Sequence, residues 1–423
     1  MLDLDKKYIN LKFENFIDTL DNEDLFDKTA RLNEVLSSGI LTGNEALGMI
    51  TLDKVKPELN IQEKDGTDKH VIMLGSNSYL NLSTHPQVIK GAEKALHKFG
   101  YGMGAVSNYA GITAIHKELE QRIAKFYNTE DAIVFPSGYG ANVGIISALC
   151  SKSDVIINDS ANHASIFDGC MLSQADVKIY PHADMKGLER VLSRIPNDKT
   201  GRLIITDGVF SMDGDMAKLD KIVELAQKYN ARIMVDDAHG LGVVGKTGRG
   251  TAEYYDVIDK IDLHVGMLSK GPGGLGGYCA ASKNVVQYLR LYARTYFFST
   301  ALPAPIAGGL NEVFKLLEKD KAGRQKLWEN TEYLKSKLLS KGFDIGCSQS
   351  AIVPVMIYDE QILFEMYDKL RKRGVYVNIV TFPAVRRKEC RLRLCTMKDL
   401  NFKQIDKAVE IIAELGREYG LIN

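Results

Sequence analysis

Short apolar runs recur through the middle of the chain, most of them closing on a polar or acidic residue. Residues 71–74, 132–135, 154–157, 177–180, 202–206, 232–235 and 263–268 are rich in Val, Ile and Leu. Such runs predict strands buried on both faces. The run 132–135 turns through Pro136-Ser137-Gly138 into a helical stretch over 139–150, and residues 219–228 carry helical spacing. This alternation predicts an α/β fold, a mostly parallel sheet with helices on both faces.

The two ends of the chain read differently. Residues 10–38 set Leu11, Phe13, Phe16, Leu20, Leu25, Leu32 and Val35 among acids and bases, a broken amphipathic helix that Gly39 and Gly43 end. Beyond 300, Pro303 and Pro305 break the chain, and a long helical region over 306–340 holds the only tryptophan, Trp328. Strand-like stretches at 352–357, 375–377 and 391–394 then alternate with helices near 360–373 and 402–418. The expected division is an N-terminal arm over 1–70, a large α/β domain over 71–302 and a smaller α+β domain over 303–423.

Composition narrows the function. Lys+Arg and Asp+Glu both number 54, so no net charge favours nucleic acid or an anionic membrane surface. No apolar run approaches the roughly 18 residues of a membrane span. The N-terminus has no basic stretch followed by an apolar run, so no signal peptide is expected. Cys150, Cys170, Cys279, Cys347, Cys390 and Cys395 form no Cys-x-x-Cys pair and no zinc spacing. Reduced thiols, a cytoplasmic location and no metal site are the expectation.

The polar residues that follow the strands carry the chemistry. Ser137, Asp159, Asp207, Asp236 and Lys270 each follow the end of a predicted strand. Open α/β sheets bind ligands at the carboxyl ends of their strands, so these residues should gather on one edge. A lysine there, close to a carboxylate and followed by glycines, suits a Schiff-base lysine for pyridoxal phosphate (PLP), with the acid on the pyridine nitrogen. On spacing alone the pair reads equally as a surface lysine and a helix-capping aspartate. The stretch 135–142, Phe-Pro-Ser-Gly-Tyr-Gly-Ala-Asn, is a strand, a tight turn and a helix start, whose free N–H groups could hold a phosphate. His163 follows another strand end, where its ring could stack on a pyridine; taken alone it reads as a hydrogen-bonded structural histidine.

Together these stretches resemble the α-oxoamine synthase family of PLP enzymes, of aminotransferase fold type I. The resemblance runs from about Leu74 to the C-terminus. It is carried by Gly75-Ser76-Asn77-Ser78-Tyr79-Leu80, Asn162-His163-Ala164-Ser165, the stretch 206–215 (Thr-Asp-Gly-Val-Phe-Ser-Met-Asp-Gly-Asp), Asp236 to Gly240 and Phe298-Ser299-Thr300. The resemblance implies the following roles. Lys270 is the Schiff-base lysine and the base for the α-proton. Asp236 partners the pyridinium, His163 stacks on the ring, and His239 partners the phenolic oxygen. Gly138 and Tyr139 form the backbone phosphate cradle, while Ser211, Asp207 and Ser269 lie in the same pocket. Thr300 is the phosphate contact donated by a neighbouring subunit, which implies a homodimer with shared sites. Arg393 falls where the family binds the substrate carboxylate, a contact suited to a guanidinium, and Asn77 joins it at the substrate.

The implied reaction is a decarboxylative condensation of a small amino acid (glycine, alanine or serine) with an acyl thioester of coenzyme A or an acyl carrier protein, giving an α-amino ketone. An aminotransferase on the same fold and a non-catalytic partner subunit are the rivals. The chain departs from the family at three places: Met267 stands where relatives carry a phosphate-binding Thr, Ser107 where several carry Arg, and Cys395-Thr396-Met397-Lys398-Asp399-Leu400 where an Ala-His-Thr stretch is common. Gly374-Val375-Tyr376-Val377-Asn378 with Pro383-Ala384-Val385 resembles serine palmitoyltransferases, whereas Gly100-Tyr101-Gly102-Met103 resembles glycine C-acetyltransferases. The G-x-G-x-x-G match at 271–276 reads as a loop rather than a dinucleotide site, because Pro272 interrupts it and no acid follows before Arg294. Arg386-Arg387-Lys388 reads as a solvated loop or as a contact to the phosphates of the thioester carrier.

Overall fold

The computed structural model describes residues 17–37, 49–196 and 201–423. The helix expected over 10–38 is seen as Asp27–Ser37; residues 10–16, Gly39 and Gly43 lie outside the described residues.

Strands β1 (Ile50–Thr51), β2 (Glu58–Gln62) and β3 (Asp68–Met73) form antiparallel neighbours near the N-terminus. The main sheet has seven strands: β4 (Asp131–Phe135), β5 (Asp154–Asp159), β6 (Asp176–Tyr180), β7 (Gly201–Asp207), β8 (Arg232–Asp236), β9 (Leu263–Met267) and β10 (Gly277–Ala281). Their order is β4-β10-β9-β8-β7-β5-β6. All run parallel except β10, which is antiparallel to both β4 and β9. Apolar runs do not reveal β10, because Gly-Tyr-Cys-Ala-Ala holds no β-branched residue. It is nonetheless buried along its whole length, with Tyr278 its one large side chain.

The strands β11 (Ile352–Met356), β12 (Val375–Tyr376), β13 (Asn378–Val380) and β14 (Arg391–Cys395) complete the sheets. β11, β14 and β13 form a three-stranded antiparallel sheet. β12 instead pairs in parallel with β3, so residues 58–73 share a core with the C-terminal layer. In that core Leu59, Val71 and Ile72 pack with Val353, Leu392 and Ile412. The single helical region expected over 306–340 is two helices, Ala304–Leu317 and Lys321–Ser340. Pro305 sits in the first turn, where a missing N–H breaks nothing. Asp320 caps the second helix by accepting from Gly323 N–H. The first of these helices packs in the core of the main-sheet layer, where Leu310, Val313 and Phe314 meet Leu119 and Phe126.

The parallel strands of this sheet end on one edge. In register, Asp207 on β7 lies beside Asp236 on β8. Phe135, Asp159 and Met267 close β4, β5 and β9 at the same edge.

Candidate active site

The carboxyl edge of the main sheet encloses a cavity of about 180 Å³. Nine of the twelve site residues named from sequence line it: Gly138, Tyr139, His163, Asp207, Ser211, Asp236, His239, Ser269 and Lys270. Asn77 and Arg393 sit behind it, two and three hydrogen bonds beyond His239 along the path through Tyr79. Thr300 is not in this cavity; it is exposed, and its backbone bridges Val106.

Each of these residues is positioned by its local element. Ser137 caps the helix Gly138–Leu149, accepting from Gly140 N–H at 3.0 Å, so this helix opens directly at the cavity. A Cβ on Gly138 would collide with the Met267 thioether. A side chain here would therefore push Met267 out of its place in the cavity wall. His163 caps the helix Ala164–Ser173, and its Nδ1 lies 2.8 Å from Ser165 Oγ. This contact holds the imidazole in one orientation on the cavity wall.

Asp236 is 3% exposed. One carboxylate oxygen accepts from Asn142 Nδ2 at 2.7 Å and the other from Ala238 N–H at 3.1 Å. Asn142 also donates to Ser165 Oγ at 2.9 Å, tying the acid to the histidine. Asp207 accepts from His163 N–H at 3.1 Å. Burial pushes both carboxyls above their usual range, and for Asp207 the neighbouring Asp236 charge adds to it; the Asn142 hydrogen bond and the Lys270 charge pull Asp236 back. Neither acid forms an ion pair among the described residues, so a cation placed in this cavity would favour their ionised forms.

Lys270 Nζ lies 2.7 Å from His239 Nε2. Burial pushes this lysine down to about 8, against the pull of Asp236 and Asp207. A substantial fraction is then the neutral, nucleophilic amine near pH 7–8. Burial also holds His239 well below its usual value, and His163 is lowered for the same reason.

The turn after β7 joins this site to the C-terminal sheet. Arg393 Nε donates to Ser211 O, and Arg391 pairs with Asp213. His182 fixes the other side of the turn. Its Nδ1 is 3.0 Å from Asp159 Oδ1 and its Nε2 3.0 Å from Asp215 Oδ2. Burial pushes His182 down, but the two carboxylates outweigh it and hold the imidazole up at about 10.

A larger cavity of about 620 Å³ lies at the opposite, amino-terminal edge of the sheet, among Asp154, Arg232 and His264. None of the sequence-predicted residues lines it. Its one histidine is stacked on Tyr127, bonds to Ile258 O, and is pushed down to about 4 by burial, so it is neutral and structural.

Several site residues are not legible from strand ends. Asn142 lies inside an apolar helix, Tyr79 inside a loop, and Cys395 at the end of β14 beside Arg393 Nη1 at 3.2 Å. For Asn142 the available signal is a lone amide on a buried face, a group that demands partners.

The residues fit PLP. The helix opening at Gly138 offers free N–H groups to a phosphate, Asp236 is a buried acid whose ionised form a cation would favour, and Lys270 is an amine of lowered pKa. Met267 contributes a thioether to the cavity, not a hydroxyl.

A model of the aminotransferase class I and II family matches residues 69–412. The 8-amino-7-oxononanoate synthase of Thermoanaerobacter pseudethanolicus is 44% identical over 354 residues, spanning 84% of this chain and 90% of that protein. The 8-amino-7-oxononanoate synthase 1 of Bacillus subtilis is 41% identical over 374 residues, 88% of this chain and 95% of that protein. Among solved structures, a serine palmitoyltransferase from S. paucimobilis with PLP bound aligns at a TM-score of 0.88 and 32% identity, over 95% of this chain and all (100%) of that one.

Proposed function

The chain belongs to the class I and II aminotransferase family, as a PLP-dependent acyltransferase of the α-oxoamine synthase group, and from that premise we propose how its own residues carry the condensation of an amino acid with an acyl thioester. The observation that carries the proposal is Lys270: an amine of lowered pKa, 2.7 Å from His239 and facing two buried carboxylates across one cavity.

When bound, PLP supplies an aldehyde that takes up the substrate amino group and a protonated ring that withdraws electrons from the adjacent carbon. Asp236, held by Asn142 and Ala238 N–H, would keep that ring nitrogen protonated. Gly138 and Tyr139 N–H groups would hold the phosphate, with Ser269 beside them. Asp207 and Ser211 complete the wall; His163 would stack on the ring and His239 would partner its phenolic oxygen. Lys270 Nζ takes the proton from the substrate α-carbon and returns it after CO2 is lost. Arg393, with Asn77, binds the substrate carboxylate; its guanidinium is held in place by Ser211 O. Thr300 reaches a second subunit's phosphate, which makes the enzyme a homodimer with shared sites; its exposure in the single chain supports this. Six thiols without a disulfide support a cytoplasmic setting, and no helix among the described residues is long and apolar enough to cross a membrane.

The test is an absorption titration of the purified chain with PLP, followed by glycine, alanine and serine, and then an acyl-CoA. A PLP band lost in Lys270→Ala, with CO2 and free thiol released in equal amounts, is the expected result. Turnover that requires a keto acid and releases no CO2 would instead identify an aminotransferase. Absence of any PLP band would identify a partner subunit.

A further inference from the structure

One phenol joins the lysine end of the site to its arginine end. Tyr79 is 1% exposed. Its hydroxyl lies 2.7 Å from His239 Nδ1, and His239 Nε2 lies 2.7 Å from Lys270 Nζ. The same hydroxyl lies 3.4 Å from Asn77 Oδ1, which accepts from Arg393 Nη1 at 3.2 Å. Burial holds His239 neutral, so its ring carries one proton and offers one donor and one acceptor. Burial also keeps the Tyr79 phenol protonated.

These contacts allow two hydrogen-bond arrangements. With Lys270 charged, the ammonium donates to Nε2, the ring proton sits on Nδ1, and Tyr79 must accept it while donating to Asn77. With Lys270 neutral, Nε2–H donates to the amine, and Tyr79 must donate to Nδ1. A hydroxyl serves in both directions, and among the described residues Tyr79 is the group within hydrogen-bond reach of Nδ1.

We propose that Tyr79 is a positioning residue that couples the proton state of Lys270 to the tautomer of His239 by reversing the direction of its own hydrogen bond. The proposal rests on the reading above only in taking Lys270 as the reacting amine. Other charged or titratable groups face this pair: Asp236 and Asp207 from the strand ends, His163 from the loop after β5, and Arg393 and Cys395 from β14. They set where Lys270 titrates, and Tyr79 sets which tautomer stands on each side of that point. Without the hydroxyl, an Nδ1–H would be a buried donor with no partner, and such a donor is costly. His239 in Tyr79→Phe should then stay Nε2–H, unable to accept from the ammonium.

The experiment uses the full chain free of cofactor, with ¹⁵N-labelled histidine. Long-range ¹H–¹⁵N correlations report the tautomer, and His239→Gln assigns the His239 signal. In the wild type, Nδ1–H should give way to Nε2–H as pH rises through about 8. Tyr79→Phe should show Nε2–H throughout. Its pH midpoint for PLP uptake, read by absorbance, should fall by about one unit, roughly a tenfold change at fixed pH below both midpoints. In the His239→Gln background, Tyr79→Phe should add no shift. A wild-type tautomer that does not change across the lysine titration overturns the proposal, whether or not the variant folds. So does a Tyr79→Phe chain that still switches, or a shift that survives in the His239→Gln background. Failure of the wild type to take up PLP would overturn the proposed function and leave the tautomer measurement standing.

Discussion

His182→Gln tests how the turn after β7 is held. The imidazole bridges Asp159 and Asp215 at 3.0 Å on each nitrogen and packs edge-on against Phe210, ring centres 4.3 Å apart. Its pKa stands at about 10 against an ordinary 6.5. At about 1.4 kcal/mol per unit, that difference sets a ceiling of roughly 5 kcal/mol. The side chain is 30% exposed, so screening reduces the net value, and about 2 kcal/mol is the working expectation. For a chain of 423 residues this corresponds to about 2 °C in Tm. A pKa raised by folding stabilises fully below the unfolded value, here about 6.5, and the contribution fades as pH climbs through about 10. Scanning calorimetry of wild type and variant from pH 6 to 10.5 should therefore show a Tm gap that is widest at pH 6–7 and closes near 10. A gap that stays flat or widens with pH would refute the idea that a charged His182 between two acids holds this turn.

Three further outcomes are expected. Gly138→Ala drives a methyl group into Met267 Sδ, so PLP affinity measured by equilibrium dialysis should fall about tenfold or more; adding Met267→Ala should restore most of it, and unchanged affinity in the single variant would disprove the close approach as the cause. Asn142→Leu removes the hydrogen bond that holds Asp236 down, so the acid limb of kcat/KM for the amino acid should move to higher pH, by about one unit, in a stopped-assay pH profile. If Thr300 completes a neighbouring subunit's site as proposed, equal amounts of Lys270→Ala and Thr300→Glu chains, each inactive alone, should recover about a quarter of wild-type activity after subunit exchange, because half of the two-fold dimers would then hold one intact site; no recovery between exchanging subunits would remove Thr300 from the site.

The sheet and the site were legible wherever side-chain pattern alone determines structure. Most strands rich in Val, Ile and Leu could be read to within a residue or two, although β3 starts three residues before its apolar run, and the helix Leu219–Lys228 falls on its predicted span. Residues closing parallel strands, such as Asp207 and Asp236, converge because topology sends all those ends to one edge. What escaped depends on partners distant in sequence. β10 is a strand only because β4 and β9 flank it. The pairing of β3 with β12 leaves no local trace, since each is a short apolar run. Asn142 and Tyr79 act through atoms on other elements, Asp236 and His239, and their own neighbours in sequence say nothing of it.

The pairing of β3 with β12 also bears on how the protein is made. Met73 and Tyr376 are register partners, so roughly 300 residues leave the ribosome between them. At about 5–20 residues per second, that interval is about 15–60 s. Throughout it Val71, Ile72 and Leu74 lack the C-terminal residues that bury them, a sticky edge that invites chaperones or aggregation. The loop carrying Asn77 and Tyr79 follows β3 directly and meets Arg393 only after β14 has emerged. The lysine and its acids can therefore assemble while synthesis continues, and the arginine end of the site is among the last parts of the enzyme to form.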